Sequence, residues 1–186
     1  MELKGERLLA ADRATAWSAL NDTEMLKHCV PGCESITATG ENQFDIAMTA
    51  AIGPVKARFK GKLALVDVDA PNGYTMKFDA SGGQAGFARG ESRVTLADEP
   101  AQQTRLSYVV NAQVGGKLAQ VGSRLIDAAA GATADKFFEA FGAQLAARAA
   151  PAAAPGAAAP TIVAPAKIGF WSLLIAFLKR LFGRSG

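Results

Sequence analysis

Three side chains with an affinity for metals lie close together in the chain: His28, Cys29 and Cys33. A structural zinc site draws on four such ligands at recurring spacings. His28 is the one histidine, and Cys29 and Cys33 are the two cysteines, so a fourth ligand of this kind does not exist and no metal is expected. The sequence reads instead as a buried thiol at Cys33 and a surface pair at His28 and Cys29. In a reducing compartment the two thiols stay free rather than joining.

Other chemistry is equally scarce. General acid–base catalysis needs a titratable group within hydrogen-bond reach of the reacting atom, and a nucleophile needs a base beside it. The chain is dominated by alternating segments. Phe44, Ile46, Met48, Ala50 and Ile52 alternate with Asp45, Ala47, Thr49 and Ala51. Val55, Ala57, Phe59, Gly61, Leu63 and Leu65 alternate with Lys56, Arg58, Lys60 and Lys62. Further runs place Tyr74, Met76, Phe78 and Ala80, then Ala88, Gly90, Ser92, Val94 and Leu96, then Leu106, Tyr108, Val110, Ala112 and Val114 on one side. Period two marks strands, and short turns such as Gly53-Pro54 and Asn72-Gly73 make the strands an antiparallel meander with one wet and one dry face. None of the dry-face residues is Asp, Glu, His, Lys or Cys, so that face is expected to bind rather than catalyse. Tyr108 is its best polar handle, because a buried phenol seeks a partner. A core packed shut is the competing reading.

On the wet face, Lys56, Arg58, Lys60 and Lys62 form a ridge of cations at spacing two. Either they pair with Asp45, Asp79 or Glu91 on other strands, or they dock an acidic partner or anionic headgroups.

The strands need a cover. Asp12 and Asp22 are positioned to cap two short helices, Arg13 to Leu20 and Thr23 to Cys29. The main cover is the stretch from Gly115 to Arg148, free of proline and rich in helix formers. As one helix it would be roughly 50 Å long. Leu118, Val121, Leu125 and Ala129 share a face in its first half, with Ile126 at the edge; Phe137, Phe138, Phe141 and Leu145 share a rotated face in the second. Gly131, between them, is a plausible bend point.

The order strand, two short helices, about six strands and long helix is that of the helix-grip, or START-like, α+β fold. Specific segments carry a closer likeness: Pro31-Gly32-Cys33-Glu34-Ser35, then Gly53-Pro54-Val55-Lys56-Ala57-Arg58-Phe59-Lys60-Gly61-Lys62, then Ala85-Gly86-Phe87-Ala88-Arg89-Gly90, then Val114-Gly115-Gly116-Lys117-Leu118-Ala119-Gln120-Val121-Gly122-Ser123-Arg124-Leu125. In these, residues 1–148 resemble the carbon monoxide dehydrogenase G-subunit (CoxG) family. The resemblance implies a curved antiparallel sheet around the long helix, with space between them for a lipophilic guest. The cavity would be lined by Phe44, Ile46, Met48, Phe59, Leu63, Met76, Phe78, Ala88, Gly90, Tyr108 and Val110 from the sheet, and by Leu118, Val121 and Leu125 from the helix. It also implies a partner: a molybdenum carbon monoxide dehydrogenase or a related molybdenum hydroxylase.

The remainder divides in two. Residues 149–166 hold four prolines and mostly alanine, a low-complexity tether of roughly 55 Å if extended. In residues 167–186 the uncharged run is Ile168 to Leu178, eleven residues, where a membrane span needs about 20. On a helix, Gly169, Ser172, Ala176, Lys179 and Arg180 fall on one narrow face. Phe170, Trp171, Leu173, Leu174, Ile175, Phe177, Leu178, Leu181 and Phe182 fill the rest. This pattern predicts an amphipathic anchor lying in the membrane interface; a helix docked on a protein and a short tilted span are the rivals. Charge agrees. The chain holds 20 Lys and Arg and 17 Asp and Glu, and all the acids lie before residue 149. The body has no basic excess that argues for nucleic acid, whereas the tail is purely cationic. The charged start, Met1 to Arg7, has no apolar core of a signal peptide.

These readings combine into an expected function. The chain is a non-catalytic accessory protein held peripherally at the cytoplasmic face of the cell membrane. It recruits the molybdenum enzyme and binds a lipophilic ligand, a quinone (menaquinone or ubiquinone), as the electron acceptor. Two alternatives stay open: an assembly factor for the metalloenzyme that binds no small molecule, and an enzyme built on the same fold.

Overall fold

The computed structural model describes residues 1–149. Strand β1 (Glu2–Leu9) leads into helices α1 (Arg13–Leu20) and α2 (Thr23–Cys29). Six strands come next: β2 (Cys33–Gly40), β3 (Gln43–Ile52), β4 (Val55–Asp69), β5 (Gly73–Ser81), β6 (Phe87–Glu99) and β7 (Gln103–Gly115). A short turn of helix, α3 (Lys117–Gln120), and the long helix α4 (Ser123–Ala149) close the described chain. The seven strands form one antiparallel sheet in the order β1-β7-β6-β5-β4-β3-β2. The five alternating runs read from the sequence correspond to β3 to β7. The helix-grip, START-like α+β architecture is therefore the observed one.

Both helix caps form as the residue types dictate. The Asp12 carboxylate accepts from the Thr15 amide at 2.9 Å, and that of Asp22 accepts from the Met25 amide at 3.0 Å. These bonds to the ionised form hold both carboxyls below the usual range; for Asp22 the larger cause is Arg148, which pairs with it from the last turn of α4. Arg148 thus ties α4 to α2. A second tie, Arg7 to Asp135, joins β1 to α4, and the Arg7 guanidinium also lies 5.4 Å from the Phe138 ring centre.

Two inward-facing glycines let the sheet bend. A Cβ on Gly61 would lie 2.5 Å from the Asp79 carbonyl oxygen, and one on Gly90 would lie 2.0 Å from that of Asn111. Glycines at such places are where a sheet can crease toward one face. At both positions the backbone of the adjacent strand approaches too closely for any side chain, so glycine is required there.

The helical cover departs from the single rod expected from the sequence. The break falls at Gly122, whose φ is +94°, and not at Gly131, through which α4 runs without interruption. Gly122 stops the first turn in the way a left-handed glycine ends a helix, and this resets the phase of α4. Ile126 becomes the buried residue, while Leu125 is 43% exposed against the turn at Gly53. The two thiols also exchange places relative to expectation. Cys29 is 2% exposed, in the core, because α2 buries Met25 and Cys29 one turn apart; Cys33 is only half-buried and His28 is exposed. Burial pushes both thiols up from their ordinary pKa.

Candidate functional site

The interior between sheet and helix has two unlike ends. At one, α1, α2 and the second half of α4 pack on β1, β6 and β7. Leu9, Leu20, Met25, Leu96, Leu106, Phe141 and Leu145 are all buried there, with Phe141 and Leu145 fully so. Aromatic rings fill the space: Phe137 stacks on Phe141 at 5.6 Å and Phe138 on Tyr108 at 5.4 Å between centroids. Thr104, also fully buried, donates to the Ala11 carbonyl at 2.8 Å and fixes the entry to α1.

At the other end the inward faces of β3, β4 and β5 oppose the first half of α4. Cross-strand register puts Phe44, Leu63 and Phe78 in one row and Met48 beside Phe59 in another. These are large apolar side chains on the concave face, yet Phe44, Ile46, Met48, Leu63, Met76 and Phe78 are only half-buried. The reason lies in the helix. Beyond Ile126, α4 offers this end Ala129, Ala130 and Gly131, which carry no side chain long enough to fill it. An apolar surface facing inward without a matching partner is the property of a ligand pocket.

The chemistry of that surface is sparse. The buried polar residues among those described are Thr75, Ser92 and Thr104. Of these, Ser92 and Thr104 belong to the concave face; the Thr104 hydroxyl is taken by Ala11 at the packed end, and Ser92 stands between Met76 and Val110 in the register. Among the described residues no three His, Cys, Asp or Glu come together as metal ligands would.

Comparison with known proteins was decisive on lineage. The family model for the G subunit of carbon monoxide dehydrogenase (CoxG) matches residues 5–146. The chain belongs to the CoxG family. Membership implies association with a carbon monoxide dehydrogenase. No curated protein matches it in sequence. Among solved structures it is similar to a conserved protein from Geobacillus kaustophilus, with 27% identity and a TM-score of 0.75 over 79% of this chain and 96% of that one. It is also similar in fold to a START superfamily protein from Mycobacterium smegmatis (14% identity, TM-score 0.61, 79% and 98% covered). A third is the Zhui aromatase/cyclase from Streptomyces sp. R1128 (15%, 0.58, 84% and 99%). The last two establish the fold alone.

Set on this CoxG fold, the residues expected to line a cavity separate. Phe44, Ile46, Met48, Leu63, Met76, Phe78, Ala88 and Val110 share the concave face and are half-buried. Phe59 is on the same face but buried beneath Gly82. Tyr108 does not serve as the handle of the open end: it is 8% exposed and belongs to the packed core, where its ring stacks on Phe138. Leu118 is buried under α3, Val121 is half-buried and Leu125 turns outward.

The cationic ridge also separates. Arg58 is taken by Glu34 at 2.6 Å. Lys62 stands between Asp45 and Asp79 in the register. Lys60 has Ala47 and Ser81 as its neighbours, and Lys56 faces Ala51. What the sequence missed is a groove of about 500 Å3 on the outer face of the sheet, to which β2 contributes Ser35 and Thr37. Its signal was hidden because β2 itself carries little alternation. The tether from residue 150 on and the anchoring segment 167–186, including Phe170 to Phe182, lie outside the described residues.

Proposed function

We propose that the chain is a non-catalytic, membrane-tethered accessory protein. It recruits a molybdenum carbon monoxide dehydrogenase, or a related molybdenum hydroxylase, to the cytoplasmic face of the membrane and holds a quinone between sheet and helix. The observation that carries this reading is the half-buried concave face around Phe44, Leu63 and Phe78, opposed by the small residues of α4. A quinone ring and its prenyl chain are apolar and leave water readily for such a surface. Ser92 supplies a hydroxyl able to donate to a quinone carbonyl. With no carboxylate, lysine or histidine among the buried residues described, the face offers neither general acid nor base, which favours carriage over conversion. Tethering raises the local concentration of the enzyme at the membrane where its electron acceptor resides.

Two measurements test it. Mass spectrometry of the lipid extract from full-length protein purified from its native host is expected to find menaquinone or ubiquinone in near-stoichiometric amount; an extract without either removes the carrier role. Deleting Ile168–Gly186 is expected to move the protein from the membrane pellet to the soluble fraction, and its retention in the pellet would remove the anchor.

A further inference from the structure

The turns of an antiparallel meander fall alternately at its two ends, and here the two ends differ in charge. At one end lie the Gly53-Pro54 turn, the turn 82–86 and the passage from β7 through α3 into α4. Residues 50–58, 82–90 and 113–126 together hold five cations, Lys56, Arg58, Arg89, Lys117 and Arg124, and no Asp or Glu. The turns at the other end, residues 40–43, 66–73 and 97–103, hold Glu41, Asp67, Asp69, Asp98 and Glu99, and no Lys or Arg. Neighbouring groups reduce this contrast without removing it. At the cationic end Glu34 holds Arg58, Asp79 faces Arg89, Glu2 adjoins the N-terminal ammonium and Asp127 follows Arg124 on α4. At the acidic end Arg13 bridges Asp98 and Arg105 bridges Glu99. Lys56 and Lys117 on one side, and Glu41, Asp67 and Asp69 on the other, are exposed and in no salt bridge among the described residues.

The cationic end is also where the apolar concave face reaches the surface. Ile52 and Val55 pair across the Gly53-Pro54 turn and are half-buried. Leu125, 43% exposed, lies against that turn: a Cβ on Gly53 would come within 2.7 Å of its Cδ2. Phe87, also exposed, covers Gly115 at the end of β7, and the exposed Met1 is held to Ala112 through its backbone. Three of the six exposed large hydrophobic side chains among the described residues are therefore gathered at this end. Exposed apolar side chains set among cations are the composition of a surface that enters the headgroup region of a bilayer.

We propose that the body lays this end on an anionic bilayer, with Lys56 and Lys117 at the headgroups and Leu125, Phe87 and Met1 entering below them. The seam between the Gly53-Pro54 turn and the start of α4 then faces lipid, and a lipophilic guest passes there without crossing water. A body with cations at one end and acids at the other is oriented by an anionic plane, cations inward and acids away. A single acidic side chain of a protein would engage one cation, whereas cations on separate turns around Leu125 suit a plane of charge. The reach of the chain allows it. Helix α4, 27 residues long, sets this end about 40 Å from residue 149, within the roughly 55 Å that residues 149–166 would span if extended. The proposal rests on the reading of a tethered quinone carrier and names the surface through which its interior meets the membrane.

The test uses the full-length chain and mixed phosphatidylglycerol–phosphatidylcholine vesicles, with partition measured by sedimentation. The double reversal Lys56→Glu with Lys117→Glu is expected to weaken partition by about tenfold or more, and Lys56→Gln with Lys117→Gln by severalfold. Lys77→Glu with Lys136→Glu, an equal reversal away from this end, should stay within about threefold of the parent. All four lysines are exposed, so the variants should keep the parent circular dichroism spectrum, and this is checked alongside. Cross-links from a diazirine-labelled phosphatidylglycerol, mapped by mass spectrometry, should fall in residues 52–56, at Phe87 and in residues 117–125. Cross-links confined to residues 167–186, or a Lys56/Lys117 reversal that partitions like the control, overturn the lipid-facing end and leave the anchor standing. A parent chain that stays in the supernatant overturns the anchor and this end together. Loss of binding to carbon monoxide dehydrogenase, with vesicle partition intact, assigns Lys56 and Lys117 to a protein partner and overturns the proposal. Cross-links and partition as expected, from a chain whose lipid extract holds no quinone, support the lipid-facing end and remove the quinone reading alone.

Discussion

The two ends of the interior are built from the same sheet and the same helix, yet at one the side chains are buried and at the other they are only half-buried. At the packed end α4 contributes Phe137, Phe138, Phe141 and Leu145; at the open end it contributes Ala129, Ala130 and Gly131. The sheet is apolar opposite both. The difference therefore comes from side-chain volume on one helix rather than from hydrophobicity of the wall. Close packing is concentrated where rings interlock.

The sharpest test of this contrast is a pair of truncations. Phe141→Ala is expected to cost about 3–5 kcal/mol, because a fully buried ring leaves a cavity behind it. Phe78→Ala, on the half-buried row, should cost only about 1–2 kcal/mol in ligand-free protein, since much of its surface is already accessible. Urea denaturation measures both, and equal losses would erase the distinction between the ends.

Filling probes the same difference from the other side. Ala16→Leu, at a fully buried site on α1, should destabilise by about 1–3 kcal/mol through overpacking. Ala130→Leu should be close to neutral in stability and should lower the quinone recovered with the protein. A strongly destabilising Ala130→Leu would mean that the open end is already full.

Next in size is an effect at the junction of α3 and α4. Gly122→Ala should cost about 1–2 kcal/mol from its left-handed backbone alone, as nothing lies within 4 Å of the added carbon. Asp22 and Arg148 give a smaller, pH-dependent term. The folded-state pKa of Asp22 is depressed below its ordinary 3.8, chiefly by Arg148. The stability it contributes is present above the unfolded value and is lost as pH falls through the folded one. The melting temperature should therefore hold steady down to about pH 4 and then fall. Asp22→Asn should lower the plateau and shrink that fall; an unchanged acid limb would remove the carboxylate from the account.

Much of the fold was legible in the sequence, and the failures have physical causes. Strands β3 to β7 alternate cleanly, and α1 and α2 begin at aspartates able to cap them, so both helices lie where the sequence puts them. The motifs around Gly53 and Gly115 were enough to indicate the CoxG family. Strand β2 did not stand out because it is an edge strand in which Ile36 is the only large apolar residue. Gly131 was the bend point read from the sequence; local composition did not reveal that Gly122 instead adopts a positive φ and breaks the helix. Cys29 and Cys33 were transposed because the burial of α2 follows helical period from Met25, not proximity to the Pro31-Gly32 turn. The half-buried end was the least legible feature: alanines on α4 read equally well as close packing or as room for a guest.

The tie between Arg148 and Asp22 has a mechanical consequence. Helix α4 ends at Ala149, one residue past Arg148, so if the proposed anchor holds a membrane, its pull would enter through the last turn of α4. That turn is clasped to α2 and backed by Leu145 and Phe141, both sealed from solvent. Such a load would fall first on the packed half of the helix. The half-buried end lies toward the other end of α4, away from that load.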